Sequence, residues 1–178
     1  MIWLQILVAL HMLFAGVFVG SNVFLDYLLT PRLDLIPPGQ AARLGEKLGV
    51  DFAWLNWVCL VGLPITGILL FYWFGPIGQL LHPWFYLTGY GFALLIMVLI
   101  WLSLVYTGVI LTWYLRPKVI VKLPYDASRQ EVEGSRTQAI AAAESMGRYA
   151  RYNAIASVIA TLIGGFLRFG GFLPRSLF

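Results

Sequence analysis

Four long apolar stretches dominate the chain and constrain its fold more than any other feature. They cover about residues 2–29, 52–74, 84–115 and 146–167. A helix needs about 20 mostly apolar residues to cross a bilayer. The stretches therefore predict an all-α fold: an integral membrane bundle of four transmembrane helices that forms a single domain over residues 1–178.

Local signals refine the ends and the interior of these helices. No basic residue precedes the first stretch, and its apolar run is longer than the core of a secretory signal, so we expect it to be retained as the first helix. Residues Gln40–Leu48 and Ser135–Ala143 predict helical segments that lead into the second and fourth helices. Pro64 lies inside the second stretch, where a neighbouring group must bond the carbonyl that a proline leaves free.

The composition excludes whole classes of soluble function. The chain is 60% hydrophobic and 11% charged, whereas soluble domains carry about 25% charged residues. A cytosolic enzyme or a nucleic-acid-binding protein of this size could not keep so much apolar surface out of water. The expected partners are membrane lipids and other membrane-protein subunits, with no nucleic acid.

The basic residues fall mostly on one side of the predicted bundle. Ten of the twelve lie in the connections between helices one and two and between helices three and four, or at the start of helix four. Because cytoplasmic loops are enriched in lysine and arginine, both connections are predicted to be cytoplasmic and both termini to lie outside. We expect the chain in a bacterial inner membrane. The ten residues are Arg32, Arg43, Lys47, Arg116, Lys118, Lys122, Arg129, Arg136, Arg148 and Arg151.

Polar residues within the apolar stretches form a stripe on the first helix. At 100° per residue, His11, Asn22 and Asp26 fall within a sector of about 80°. Lipid offers these side chains no hydrogen-bond partner, so the stripe is predicted to face the bundle interior. Small and polar residues on the other helices would pack against it. The expected structural polar network comprises Asn22, Asp26, Asn56 and Asn153.

The two histidines are the candidate metal or cofactor ligands. A neutral imidazole at His11 could bind haem iron or copper, or could pack as a hydrogen-bonded core residue. His82 is predicted at the outer edge of the membrane, so its depth differs from that of His11. This mismatch argues against one haem held by both side chains. The cofactor is left open between haem b, copper and none.

Two arginines at the cytoplasmic end of the fourth helix are candidates for binding an anionic group. Arg148 and Arg151 lie near Asp26 in depth, so one ion pair, snorkelling and lipid contact can explain them. The alternative is a pocket for a propionate, a quinone headgroup or a lipid phosphate. No nucleophile–base pair, phosphate loop or zinc-ligand spacing occurs in the sequence, so no catalytic residue is assigned.

A set of residues on the first helix and its exit forms a recognisable pattern: Leu10-His11, Gly16, Gly20 and Pro31-Arg32. This pattern resembles the copper resistance protein D-like superfamily, which includes HemJ-type protoporphyrinogen oxidases. The resemblance implies a helical bundle with His11 as a haem ligand or metal contact. HemJ-type proteins pair this histidine with a lysine on the third helix, whereas residues 84–115 contain no lysine. The departure argues against the oxidase activity.

Three functions follow from these features. The leading hypothesis is an integral membrane accessory subunit that packs within a larger respiratory or photosynthetic complex. The second is a haem b- or copper-binding redox or transport protein that uses His11. The third is a small transporter or lipid-binding module built on the Asp26–arginine cluster. The sequence favours a protein that is not an enzyme, and any enzymatic activity would be that of a haem-dependent membrane oxidoreductase.

Overall fold

The computed structural model describes residues 2–35, 37–119 and 129–168 and confirms the all-α fold class. This part of the chain contains no strand, and four of its helices are long and apolar enough to cross a membrane. The protein is therefore a four-helix membrane-type bundle. The four helices are α1 (Ile2–Val23), α2 (Pro38–Phe74), α3 (Gly89–Val109) and α4 (Arg129–Arg168).

Two of the helices continue into wider or tighter helical turns. After α1 the chain forms a π-helix over Phe24–Leu29 and then a 3₁₀-helix over Thr30–Leu35. After α3 it forms a second π-helix over Ile110–Leu115, followed by one α-helical turn over Arg116–Val119. These additions extend each of the two candidate spans to 31 residues.

The helix ends differ from the sequence expectations at three places. The third helix was expected from about residue 84, but Pro83–Leu87 is a 3₁₀-helix and α3 begins at Gly89. Thr88 sets this start because its hydroxyl accepts a hydrogen bond from the backbone N–H of Gly91 at 3.0 Å. Helices α2 and α4 begin well before the apolar cores expected at residues 52 and 146, so the predicted lead-in segments are continuous with them.

The helices pack in a ring in which chain neighbours are also spatial neighbours. Helix α1 packs against α2 and α4, α3 packs against α4, and a smaller contact between α2 and α3 closes the ring. Each helix contributes to one buried core, which contains Phe18 of α1, Cys59 and Leu60 of α2, Leu104 of α3 and Ala156 of α4.

Proline and glycine in α2 shape its contacts with the neighbouring helices. Pro64 has no N–H to offer the carbonyl of Leu60 one turn earlier. The indole Nε1–H of Trp101 on α3 donates to that carbonyl at 3.0 Å, as the sequence analysis required of some neighbour. Gly62 lies against the ring of Phe14, whose atoms would be as close as 2.5 Å to an added Cβ. The α1–α2 contact therefore depends on glycine at this position.

Candidate functional site

His11 is bonded to α2 rather than left free inside the bundle. Its Nδ1 lies 2.6 Å from the hydroxyl of Thr66, and that hydroxyl also lies 2.7 Å from the carbonyl of Gly62. If the Thr66 hydroxyl donates its hydrogen to the Gly62 carbonyl, the same hydroxyl accepts a hydrogen bond from Nδ1–H of His11. In this neutral form of the imidazole, Nε2 carries a lone pair. The backbone of Leu63 on α2 also lies within hydrogen-bonding reach of the ring. Gly67 lies beneath the ring, at 3.4 Å from Cε1 to an ideal Cβ.

His82 occupies a different environment from His11. It is exposed and precedes the 3₁₀-helix Pro83–Leu87 in the connection between α2 and α3. Across the described ranges, no three His, Cys, Asp or Glu side chains are grouped so that they could hold a metal ion. A metal site involving His11 and His82 therefore stays a prediction from the sequence.

Two neighbouring polar residues in the last turn of α1 form bonds of different kinds. The hydroxyl of Ser21 donates to Oδ1 of Asn56 on α2 at 2.7 Å, so this pair joins two helices. The amide of Asn22 instead donates to the carbonyl of Phe18 on its own helix at 2.7 Å. Asn22 is buried, but its donor is satisfied locally rather than by another helix.

Helices α3 and α4 are joined by a second buried pair. The hydroxyl of Thr107 donates to Oδ1 of Asn153 at 2.6 Å, and both residues are almost fully buried. Ser157, one turn further along α4, is also buried and donates to the carbonyl of Ala154 at 2.9 Å. Asn153, which was expected in the polar network, therefore lies inside the bundle and is hydrogen-bonded to α3.

Asp26 and Arg151 form an ion pair between the π-helix after α1 and helix α4. The distance from Arg151 Nε to Asp26 Oδ2 is 3.6 Å. The Asp26 side chain is 4% exposed and that of Arg151 is 69% exposed. Oδ2 of Asp26 is buried and has no hydrogen-bond partner in the described part of the chain. Arg151 is therefore the cationic group that the described residues bring nearest to this buried oxygen.

Arg148 does not share the environment of Arg151. Its Nη2 donates to the hydroxyl of Ser145 at 3.2 Å, and its side chain helps to line an open, mostly apolar groove of about 350 Å³ between α3 and α4. The described residues place no carboxylate in an ion pair with it. The groove is lined by Ser103, Tyr106, Thr107, Arg148, Tyr149 and Tyr152.

Sequence reasoning missed several partners that the structure brings together. Thr66 beside His11, Ser21 beside Asn56, and Tyr152, whose hydroxyl lies 2.6 Å from that of Ser103, were not assigned roles. Serine and threonine can bond the carbonyls of their own helix, so their identity alone does not show which of them join helices. The signal that could have found two of these pairs is depth in the membrane. When α1 and α2 run antiparallel, Thr66 lies at the depth of His11 and Ser21 lies at the depth of Asn56.

Comparisons with known proteins identify no relative of the chain. No protein-family model, curated protein or solved structure matches the chain.

Proposed function

We propose that the chain is an integral membrane accessory subunit that associates laterally with another membrane protein through the outer face of α1. The observation that carries the proposal is the position of Gly16 and Gly20. Both are exposed, and an added Cβ at either would meet no atom within 4 Å. They are four residues apart, and each lies about 140–180° around α1 from His11.

A small-xxx-small spacing lets the backbones of two membrane helices approach closely. In this bundle the internal contacts of α1 use its other face, where Phe14, Phe18 and Ser21 meet α2. The outward face is therefore free to accept a transmembrane helix of another subunit. A respiratory or photosynthetic complex is the class of assembly that we propose for it.

The bonding of the interior supports a structural role. Ser21 with Asn56, and Thr107 with Asn153, use their polar groups to join helices. Such bonds hold a bundle together and leave few groups for chemistry on a substrate.

Co-purification tests the proposal. The wild-type chain, extracted in mild detergent, is expected to elute with a larger membrane assembly, whose subunits mass spectrometry would identify. Gly16→Leu and Gly20→Leu should release the chain as a folded monomer, because leucine blocks close helix approach. Gly165→Leu is the matched control, since Gly165 on α4 is also exposed with no atom within 4 Å of an added Cβ. A wild-type chain that elutes alone or as a homo-oligomer would contradict the proposal, as would equal loss in the control.

The proposed orientation places both termini outside a bacterial inner membrane, and cysteine labelling tests it. Gln79 in the α2–α3 connection and Lys118 after α3 are both exposed. A membrane-impermeant maleimide added to intact cells should label Gln79→Cys but not Lys118→Cys. The native Cys59 is buried and gives a low background. The reverse pattern would overturn the orientation.

A second candidate function is haem binding through His11, as the resemblance to the copper resistance protein D-like superfamily suggests. The favouring observation is that α2 fixes the orientation of the ring, because the hydroxyl of Thr66 lies 2.6 Å from Nδ1. Histidines that bind metals are oriented in this way by a partner on the other nitrogen. This chain would supply one axial ligand, and bound haem would supply electron transfer. The donor set favours copper less, because the described ranges contain no group of three His, Cys, Asp or Glu side chains.

An absorption spectrum of the natively purified chain tests the haem candidate. A Soret band that is lost in His11→Ala and shifted in Thr66→Val would support it. His82→Ala is the control and should leave the band unchanged. Absence of the band, or its persistence in His11→Ala, would exclude His11 as the ligand.

A further inference from the structure

Two arginines three residues apart on α4 have unequal charge partners. Arg151 has the buried carboxylate of Asp26, at 3.6 Å from Nε to Oδ2. Arg148 has a serine hydroxyl at 3.2 Å and no carboxylate partner in the residues that the structure describes. A guanidinium carries five N–H donors, so Arg148 retains donors for an anion.

The surroundings of Arg148 are those of a site within the membrane-facing surface. Arg148 lines the groove together with Tyr106 and Thr107, which belong to the apolar candidate span Gly89–Val119. A charged side chain at such a position is costly unless it is paired. An anion supplied from outside the protein would provide the missing charge.

The groove beside Arg148 has the size and lining for part of an amphipathic molecule. Its volume of about 350 Å³ lies within the range of ligand-sized pockets. Tyr106 and Tyr152 expose their rings along it. Ser103 donates to the carbonyl of Ile100 at 2.7 Å, so the Tyr152 hydroxyl donates to Ser103, and this pair joins the two walls.

We propose that this groove binds an anionic phospholipid, with its phosphate on Arg148 and an acyl chain along the rings of Tyr106 and Tyr152. Charge complementarity selects the anionic class, because the choline of a zwitterionic lipid already balances its own phosphate. The lateral opening between two candidate membrane helices selects a lipid over free phosphate. The site is separate from the outer face of α1, so it holds whether or not the chain joins a larger assembly.

Lipid retention by the isolated 178-residue chain tests the proposal. The chain is reconstituted in nanodiscs that contain phosphatidylglycerol as the minor lipid and phosphatidylcholine as the major one. It is then transferred to mild detergent and analysed by native mass spectrometry. The wild type is expected to retain phosphatidylglycerol in preference to phosphatidylcholine, and inorganic phosphate should not displace it.

Arg148→Gln is expected to lower phosphatidylglycerol retention about fivefold, which corresponds to about 1 kcal/mol for one arginine near an anionic headgroup. Arg136→Gln is the matched control, because Arg136 is an exposed arginine of the same helix outside the groove. Equal losses in the two variants would show that only general surface charge attracts the lipid. Two results with the wild-type chain alone would overturn the proposal. The chain could retain phosphatidylglycerol no better than phosphatidylcholine, or inorganic phosphate could displace the bound phosphatidylglycerol.

Discussion

The hydrogen bond from Trp101 to the carbonyl of Leu60 gives the sharpest test of how this bundle is held together. Trp101→Phe removes the indole N–H and leaves the carbonyl without its donor. Pro64→Ala restores a backbone N–H that points at the same carbonyl from one turn later in α2. The two substitutions should therefore compensate, although they lie on different helices.

The expected coupling free energy between Trp101→Phe and Pro64→Ala follows from the burial of Leu60. Leu60 is 3% exposed, so water cannot replace the lost donor. A buried polar group left unsatisfied costs about 1–3 kcal/mol, while hydrogen bonds between membrane helices contribute about 0.6–2 kcal/mol. We expect a coupling of about 1 kcal/mol: Trp101→Phe should destabilise the chain by that much less when Ala replaces Pro64. The packing lost from tryptophan to phenylalanine is common to both backgrounds and cancels.

Reversible unfolding in mixed micelles, with SDS as the denaturant and circular dichroism as the readout, measures the four free energies of unfolding. Trp57→Phe is the matched control. The indole of Trp57 donates to the hydroxyl of Thr112 at 3.1 Å and not to Leu60, so it should not couple to Pro64→Ala. A Trp101–Pro64 coupling below about 0.3–0.5 kcal/mol, the usual scatter of additive pairs, would refute the assignment of this bond as the replacement for the proline's missing donor.

The same unfolding assay checks three further substitutions. Gly62→Ala should destabilise the bundle by about 1–3 kcal/mol through overpacking against Phe14, and no change would mean that the ring moves freely. Thr107→Val should cost about 1 kcal/mol because it removes the donor to buried Asn153; an unchanged stability would show that the pair is not stabilising. Gly20→Ala should be neutral or slightly stabilising, since nothing lies within 4 Å of its added Cβ, and a loss above about 1 kcal/mol would place a neighbour there.

The sequence predicts the fold class because the length and hydrophobicity of the four stretches leave few alternatives in a bilayer. It also predicts which face of α1 and of the π-helix after it turns inward, since both Asn22 and Asp26 are buried. The helix starts are less predictable. His82-Pro83 is a plausible helix beginning, but the cap that starts α3 is the later Thr88, and the chain before it forms a 3₁₀-helix.

Pairing between helices is the part of the site that the sequence does not predict. Arg148 and Arg151 have the same chemistry and nearly the same depth, so the sequence does not distinguish their environments. Three residues rotate a side chain by about 300°, which leaves the two guanidinium groups about 60° apart around α4. That angle separates an arginine that reaches Asp26 from one that lines the α3–α4 groove. The rotation of α4 relative to its neighbours decides the outcome, and packing sets that rotation.

The two proposed contacts lie on different sides of the ring of helices, which makes their failures separable. Helix α1 packs against α2 and α4, and its glycines face away from the bundle, whereas the groove lies between α3 and α4. Gly16→Leu should therefore release a partner subunit but keep phosphatidylglycerol, and Arg148→Gln should lose the lipid but keep the partner. The double variant should show both losses, each of the size seen alone, because sites without shared contacts behave additively. If either single variant abolished both interactions while its circular dichroism stayed native, lipid and partner would share one surface and this assignment of faces would be wrong.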